Sequence, residues 1–377
     1  MTIIRKVKDI LGFIWARPWA IASIGGVLAF GFILAGVAGT LAFVSPSVSE
    51  SVQGRLAYFA SKFKPVAERP DSLSVEWETR ETALLTLETA FVPLGNVDGE
   101  ATGGGIDAWG DVLVYAAANG RLGFVDFANA RIEYSDVRIP MDYDATRREY
   151  LNPQIEFNQA WYRVTDILLV ESEDPSKAVL YASHYKYTPE DDQICMYLSS
   201  IDMQRDSSGV RFAGEDWTTV IRANACNVME DIDWGFGGHI SGGRIVELDD
   251  EHLLLSVGTF GTGNFHGWWD EVTAESGNDL GKIIRVNTNT GVTDVYAAGV
   301  RNPQGLVFDG EGRLWETEHG PQGGDELNLI KPGLDYGWPH VSYGTDYGAP
   351  REPLPLNPVQ GRHDGYEQPV FSFVPSV

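Results

Sequence analysis

Basic residues are scarce in this sequence. Only 28 Lys and Arg stand against 53 Asp and Glu, a formal net charge of −25. So acidic a chain repels phosphates, which excludes nucleic acid as a partner. Its acidity serves solubility and offers oxygen donors to divalent cations. Cysteine is nearly absent, with Cys195 and Cys226 alone. There is no CxxC pair and no Cys/His cluster, so no structural zinc site is expected. One disulfide is open to the two cysteines if the domain lies outside the cytoplasm. Helical periodicity is thin beyond about residue 83. Long apolar runs are missing, with one exception.

The exception is residues 18–44, which carry no charge. About 27 residues at ~1.5 Å rise give ~40 Å, enough to cross a bilayer with some tilt. Arg5, Lys6, Lys8 and Arg17 precede the run, against Asp9. That bias keeps the N-terminus in the cytoplasm and exports the rest of the chain. A cleaved signal peptide is the alternative, but its apolar core is normally ~7–15 residues and no clear A-x-A site follows. The expected organisation is a cytoplasmic basic segment (1–17), a transmembrane anchor (18–44), a linker rich in Ser, Pro and charge (45–82), and an exported domain (83–377). Within the linker, residues 54–63 suit a short amphipathic helix at the membrane surface.

Glycine and tryptophan, at 42 and 11 residues, are plentiful. They suit a β-rich fold with tight turns and aromatic packing. Residues 111–116 and 121–127 flank Ala118-Asn119-Gly120, a hairpin signal. Residues 179–187 and 194–203 pair across a polar turn. Residues 244–248 and 253–257 flank Asp249-Asp250-Glu251, and residues 305–308 and 314–318 flank Asp309-Gly310-Glu311-Gly312. The last two units look alike and lie roughly 60 residues apart. Recurring strand units over about 290 residues predict a β-propeller, with an array of β-sandwiches as the competitor.

Three segments carry chemistry. The first is His239-Ile240-Ser241-Gly242-Gly243-Arg244-Ile245, and the second Arg301-Asn302-Pro303-Gln304-Gly305-Leu306-Val307-Phe308. The third runs from Thr317-Glu318-His319-Gly320-Pro321 through Glu326 to Asp335-Tyr336-Gly337-Trp338-Pro339. This ordered set resembles the glucose/sorbosone dehydrogenase family, the soluble pyrroloquinoline-quinone (PQQ) sugar dehydrogenases. The likeness is strong over about 237–375, weaker over 103–233, and absent before about residue 83. It implies an all-β, six-bladed β-propeller, here behind an N-terminal transmembrane helix, with the active site at the mouth of the central channel.

The resemblance also implies roles. His239 matches the general base that takes the sugar hydroxyl proton, a task suited to imidazole; alone, a His in a Gly-rich turn reads as structural. Arg301 matches a residue contacting the quinone oxygens, where a guanidinium meets anionic groups bidentately. Asn302 and Gln304 match neighbouring polar contacts, with turn hydrogen bonding as the plainer role. Gly320 and Pro321 match the carbonyls that hold a catalytic Ca2+, and Glu326, the Tyr336 backbone and Asp346 fall near a second calcium region. The plainer role of those carboxylates is an ordinary acidic loop. The implied function is oxidation of an aldose at C1 to the lactone with PQQ and Ca2+. Electrons would pass to a respiratory acceptor near the inner membrane, from a periplasmic domain. The alternative is a non-catalytic propeller kept as a binding or assembly platform.

Three departures bear on that choice. His239 and Arg244 are five apart where the family has four. Thr259 stands where a family Asp orients the catalytic His, leaving Asp270 or Asp279 as substitutes. The chain stops at Val377, where the family continues into at least part of a last blade with further Lys and Arg cofactor ligands, so a fragment of a longer product is expected. Phe265, Trp268 and Trp269 offer stacking faces, and His266 a reserve proton-transfer group, although loop packing explains them equally.

Overall fold

The structure, a computed structural model, describes residues 77–81, 85–90, 103–127, 131–143, 146, 161–207, 209–228, 238–260, 277–344 and 363–373. The proposed anchor and nearly all of the linker lie outside them. Among the described residues no helix is long and apolar enough to cross a membrane.

Strands dominate. β1 (Trp77–Glu81) and β2 (Thr86–Ala90) form a two-stranded ribbon. Four larger antiparallel sheets follow in chain order. The first holds β3 (Gly104–Trp109), β4 (Val112–Ala117), β5 (Arg121–Asp126) and β6 (Arg131–Arg138). The second holds β7 (Val164–Glu171), β8 (Lys177–Thr188), β9 (Gln193–Asp206) and β10 (Gly209–Phe212), with β11 (Thr218–Val228) also on β9. The third is β12 (Gly242–Asp249), β13 (His252–Val257), β14 (Lys282–Asn287) and β15 (Thr293–Ala298). The fourth is β16 (Pro303–Phe308), β17 (Leu314–Glu318), β18 (Asp325–Ile330) and β19 (Phe371–Phe373). All four hairpins expected from turn chemistry are present.

The leading strands β3, β7, β12 and β16 pack side by side in that order, the arrangement of propeller blades. Six blades were expected, and the described residues form four. The reason is spacing between blades and not strand length alone, since the first blade's strands run 6–8 residues while the second's reach 14. Successive leading strands begin roughly 60–80 residues apart, against about 40–50 residues for a blade of four short strands.

Two apolar seams hold the blades together. Val114 and Leu122 of the first blade, Leu180 and Leu198 of the second, and Leu253, Leu255 and Ile284 of the third bury together. Leu254 and Ile283 turn the other way and meet Leu306, Leu314 and Ile330 of the fourth. The run Leu253-Leu254-Leu255 therefore lacks alternation because β13 is buried on both faces. Polar stitches accompany the seams. Asp107 Oδ2 of β3 accepts the Leu169 N–H of β7 at 2.6 Å. Asp166 of β7 accepts the Ile245 N–H of β12 at 3.0 Å and pairs with Arg244 at 2.7 Å. Ser256 Oγ donates to the Pro303 carbonyl at 2.9 Å. Burial pushes Asp166 up to about 6 against the pull of Arg244. Cys195 and Cys226 sit opposite one another on β9 and β11 and form a disulfide.

Candidate functional site at the blade junctions

The site begins with the turn that carries His239. Residues Gly238–Ile240 make one 3-10 turn immediately ahead of β12. Every carbonyl of the turn is claimed. Tyr185 Oη donates to the Gly238 carbonyl at 2.9 Å, and Ser241 Oγ donates to it at 3.0 Å. Asn302 Nδ2 and Gln304 Nε2 both donate to the His239 carbonyl at 3.3 Å. Phe260 N–H takes the Ile240 carbonyl at 2.7 Å. Asn302 also accepts the Gly242 N–H through Oδ1 at 3.4 Å. Asn302 and Gln304 thus reach the expected site, but they hold the backbone of the histidine.

The extra residue between His239 and Arg244 is absorbed as a β-bulge. Gly242 pairs with Val257 and Ile245 with Leu255, so the β12 side has one residue more. Gly242 and Gly243 take φ of 63° and 104°, a region glycine enters freely. A Cβ on Gly243 would stand 2.3 Å from Thr165 Oγ1. Arg244 is turned to Asp166, away from the turn.

The His239 imidazole lies against Trp161, ring centroids 5.5 Å apart. Arg163 in turn lies over that indole at 5.3 Å. Burial lowers the pKa of His239, and the positive charges of Arg301 and Arg163 lower it further. Nδ1 is buried without a hydrogen-bond partner. Thr259, fully buried at the end of β13, donates its backbone N–H to the Arg301 carbonyl at 3.0 Å. Neither expected substitute carboxylate supports the ring among the described residues. Asp279 accepts the Asn224 N–H at 2.6 Å, and Asp270 lies outside them, as do Asp346, Phe265, His266, Trp268 and Trp269.

Arg301 is 2% exposed. Its Nη1 donates to the His319 carbonyl at 2.9 Å and to the Gly320 carbonyl at 2.7 Å, and its guanidinium lies over Trp338 at 5.3 Å. Glu318 accepts the backbone N–H groups of Arg301 and Asn302. Behind it lies a feature the sequence did not signal. Glu316 and Glu318 of β17 face Glu326 and Asn328 of β18 in register, all buried. Asn328 Nδ2 reaches Glu316 at 3.0 Å and Glu318 and Glu326 at 3.4 Å each. Burial and mutual repulsion raise Glu316 and Glu326 well above the usual carboxylate range. Burial raises Glu318 to about 7, held back by its two backbone donors and by Arg301. His363 Nε2 is 3.7 Å from Glu326. Burial lowers His363 to about 4, so the contact is not ionic at neutral pH. Glu318, Gly320, Glu326 and Tyr336 line one small cavity with room for about one water-sized occupant.

The structure therefore joins His239, Arg301, Asn302 and Gln304, links them through Arg301 to Gly320, and sets Glu326 and Tyr336 behind. Trp161, Arg163 and Tyr185 were missed because they come from another blade, and no local pattern marks them. The pair Glu316 and Glu318 had a faint signal, alternate carboxylates within a strand.

The chain is similar to known proteins in sequence and in fold. The sequence model of the Glucose / Sorbosone dehydrogenase family matches residues 190–377. The aldose sugar dehydrogenase YliI of Escherichia coli (strain K12) is 31% identical over 150 residues, 36% of this chain and 37% of that protein. Quinoprotein glucose dehydrogenase B of Acinetobacter calcoaceticus is 42% identical over 81 residues, 18% of this chain and 17% of that one. The chain spans about a third or less of the length of these curated relatives. A solved soluble aldose sugar dehydrogenase from Escherichia coli, in its apo form, superposes with a TM-score of 0.52 at 20% identity, covering 74% of this chain and 73% of that one. A solved glucose dehydrogenase gives 0.53 at 21% identity, with the same coverage. These two likenesses establish the propeller fold. With the sequence match added, residues 190–377 are what this chain shares with the glucose/sorbosone dehydrogenase family, to which it is similar in sequence as well as in fold.

Proposed function

We propose that this chain is a PQQ-dependent dehydrogenase that oxidises aldose sugars at C1 to lactones. In this reading it is anchored in the inner membrane by residues 18–44, with the propeller in the periplasm. Electrons leave to a respiratory acceptor near the membrane. The observation that carries the reading is the convergence of His239, Arg301, Asn302 and Gln304 on one junction between blades.

The residues present fit the two groups this reaction uses. PQQ is planar and carries several carboxylates. Arg301 supplies guanidinium charge, and Trp338 supplies an aromatic face. Calcium prefers oxygen donors. The Gly320 carbonyl already faces a cation, Arg301 Nη1, and Pro321 follows it. Glu326 and the Tyr336 backbone border the small cavity beside Glu318. When bound, PQQ would supply the hydride acceptor and calcium a Lewis acid for its quinone oxygens. The chain's own part is proton transfer. His239 must be neutral to take the hydroxyl proton, and burial beside two arginines keeps it so. With Nδ1 buried, Nε2 is the nitrogen left to receive that proton.

A second reading, a non-catalytic platform, is favoured by one observation. Nδ1 of His239 has no acceptor, and Thr259 stands where a carboxylate would fix the tautomer. The test uses the full chain with PQQ and CaCl2. The dehydrogenase reading expects a higher melting temperature and reduction of an artificial dye when aldoses are added. His239→Ala should abolish turnover without changing the melting temperature. No thermal shift and no turnover would leave the platform.

A further inference from the structure

Where a carboxylate would support the general base, this chain has an indole and a guanidinium from another blade. We propose that Trp161 and Arg163 are positioning residues for His239: the indole walls the imidazole, and the guanidinium braces both that indole and the Tyr185 anchor of the turn. The inference rests on the reading of His239 as the proton acceptor.

Three observations carry it. First, the backbone of His239 is fixed by blades on either side, through Tyr185 on one and Asn302 and Gln304 on the other. What remains free is rotation of the ring about its side-chain bonds, and Trp161 covers the ring at 5.5 Å. Second, Arg163 stands 5.3 Å from the centroid of that indole. It also neighbours the Tyr185 hydroxyl. One side chain thus touches both the packing wall of the imidazole and the anchor of its turn. Third, no carboxylate supports the ring among the described residues: Thr259 is buried at the end of β13, and Nδ1 is buried with no acceptor among them.

The charged groups facing the imidazole among the described residues are Arg163 from the second blade and Arg301 from the fourth. Tyr185 beneath the turn is pushed up to about 12 by burial and stays neutral. Glu318 lies behind Arg301, on its backbone N–H. The charge that the described residues set at the ring is therefore positive. A carboxylate partner would raise the affinity of the ring for its proton. The present surroundings lower it, burial first and then Arg301 and Arg163, so His239 is uncharged and open to a proton at neutral pH.

The test is a proton NMR titration of the histidine ring signals of the full chain without cofactor, with His239 assigned by the signal lost in His239→Gln. Arg163→Met should raise the His239 midpoint by about one pH unit, and Arg163→Lys should leave it near the parent value. Trp161→Ala should broaden or move the ring signal, and Trp161→Phe should restore it. In PQQ-loaded protein the acidic limb of kcat should move up with the midpoint in Arg163→Met, with KM for the sugar unchanged. A midpoint unmoved in both Arg163→Met and Arg163→Gln overturns the proposal, as does a fall in KM-normalised rate with no change in pH profile. A moved midpoint in a chain that turns over no aldose supports the positioning role and rejects the dehydrogenase reading, so the two failures are distinct.

Discussion

Replacing Glu316 by glutamine removes one charge from the most crowded acidic cluster of the protein. Glu316, Glu318 and Glu326 share a single amide donor, Asn328 Nδ2. Glu318 has two backbone donors of its own, whereas Oε1 of Glu316 is buried with no partner. Glu316 is thus the member whose charge gains least. Its folded pKa lies above the unfolded value, so ionisation works against the fold. The penalty is absent below the usual carboxylate pKa and complete once pH has risen through the folded value. For Glu318, a rise from 4.5 to about 7 corresponds to about 3 kcal/mol at ~1.4 kcal/mol per unit. Glu316 itself is raised by burial and by repulsion from Glu318 and Glu326, so removing its carboxylate should recover a penalty of similar order, roughly 1–2 kcal/mol. Glu316→Gln should therefore melt a few °C higher than the parent at pH 8 with chelator present, and at the same temperature at pH 5. Thermal unfolding at the two pH values decides it. Equal destabilisation at both would mean that Glu316 acts through a hydrogen bond its amide cannot make, and the charge argument would fail.

Asp166→Ala should destabilise the domain by about 2–4 kcal/mol in chemical denaturation, since it orphans the Ile245 N–H and Arg244 between two blades. Tyr185→Phe removes one donor from the Gly238 carbonyl; it should cost about 1 kcal/mol of stability yet lower turnover more than tenfold. Thr259→Asp should raise the His239 midpoint in the same NMR titration, while a buried carboxylate at a fully buried position lowers the melting temperature. Reducing the Cys195–Cys226 bridge, which closes a separation of 31 residues, should cost about 2–4 kcal/mol, read from melts with and without reductant.

Much of the fold was legible because its turns speak locally. Ala118-Asn119-Gly120 and the acidic turn after Asp249 announce hairpins whatever surrounds them, and both hairpins formed. Blade count was not legible. It depends on how far strands such as β8 and β9 extend, and burial of their flanks decides that. The site was half legible. His239, Arg301, Asn302 and Gln304 meet, but whether an amide reaches outward or back to a carbonyl depends on the register of neighbouring blades. The bulge at Gly242 and Gly243 explains the odd spacing to Arg244, and only pairing with Val257 and Leu255 reveals it. Arg163 had no sequence signal, since the histidine it acts on lies 76 residues downstream.

The three-residue turn before β12 takes its carbonyl partners from Tyr185 on one blade and Asn302 and Gln304 on another, besides its own Ser241. It can assume its shape only once three neighbouring blades have docked. The histidine therefore acts as a gauge of assembly: partly folded chains, with individual blades formed but apart, would hold every residue of the site and none of its geometry. Damage at either flanking seam would silence the protein before it unfolds it.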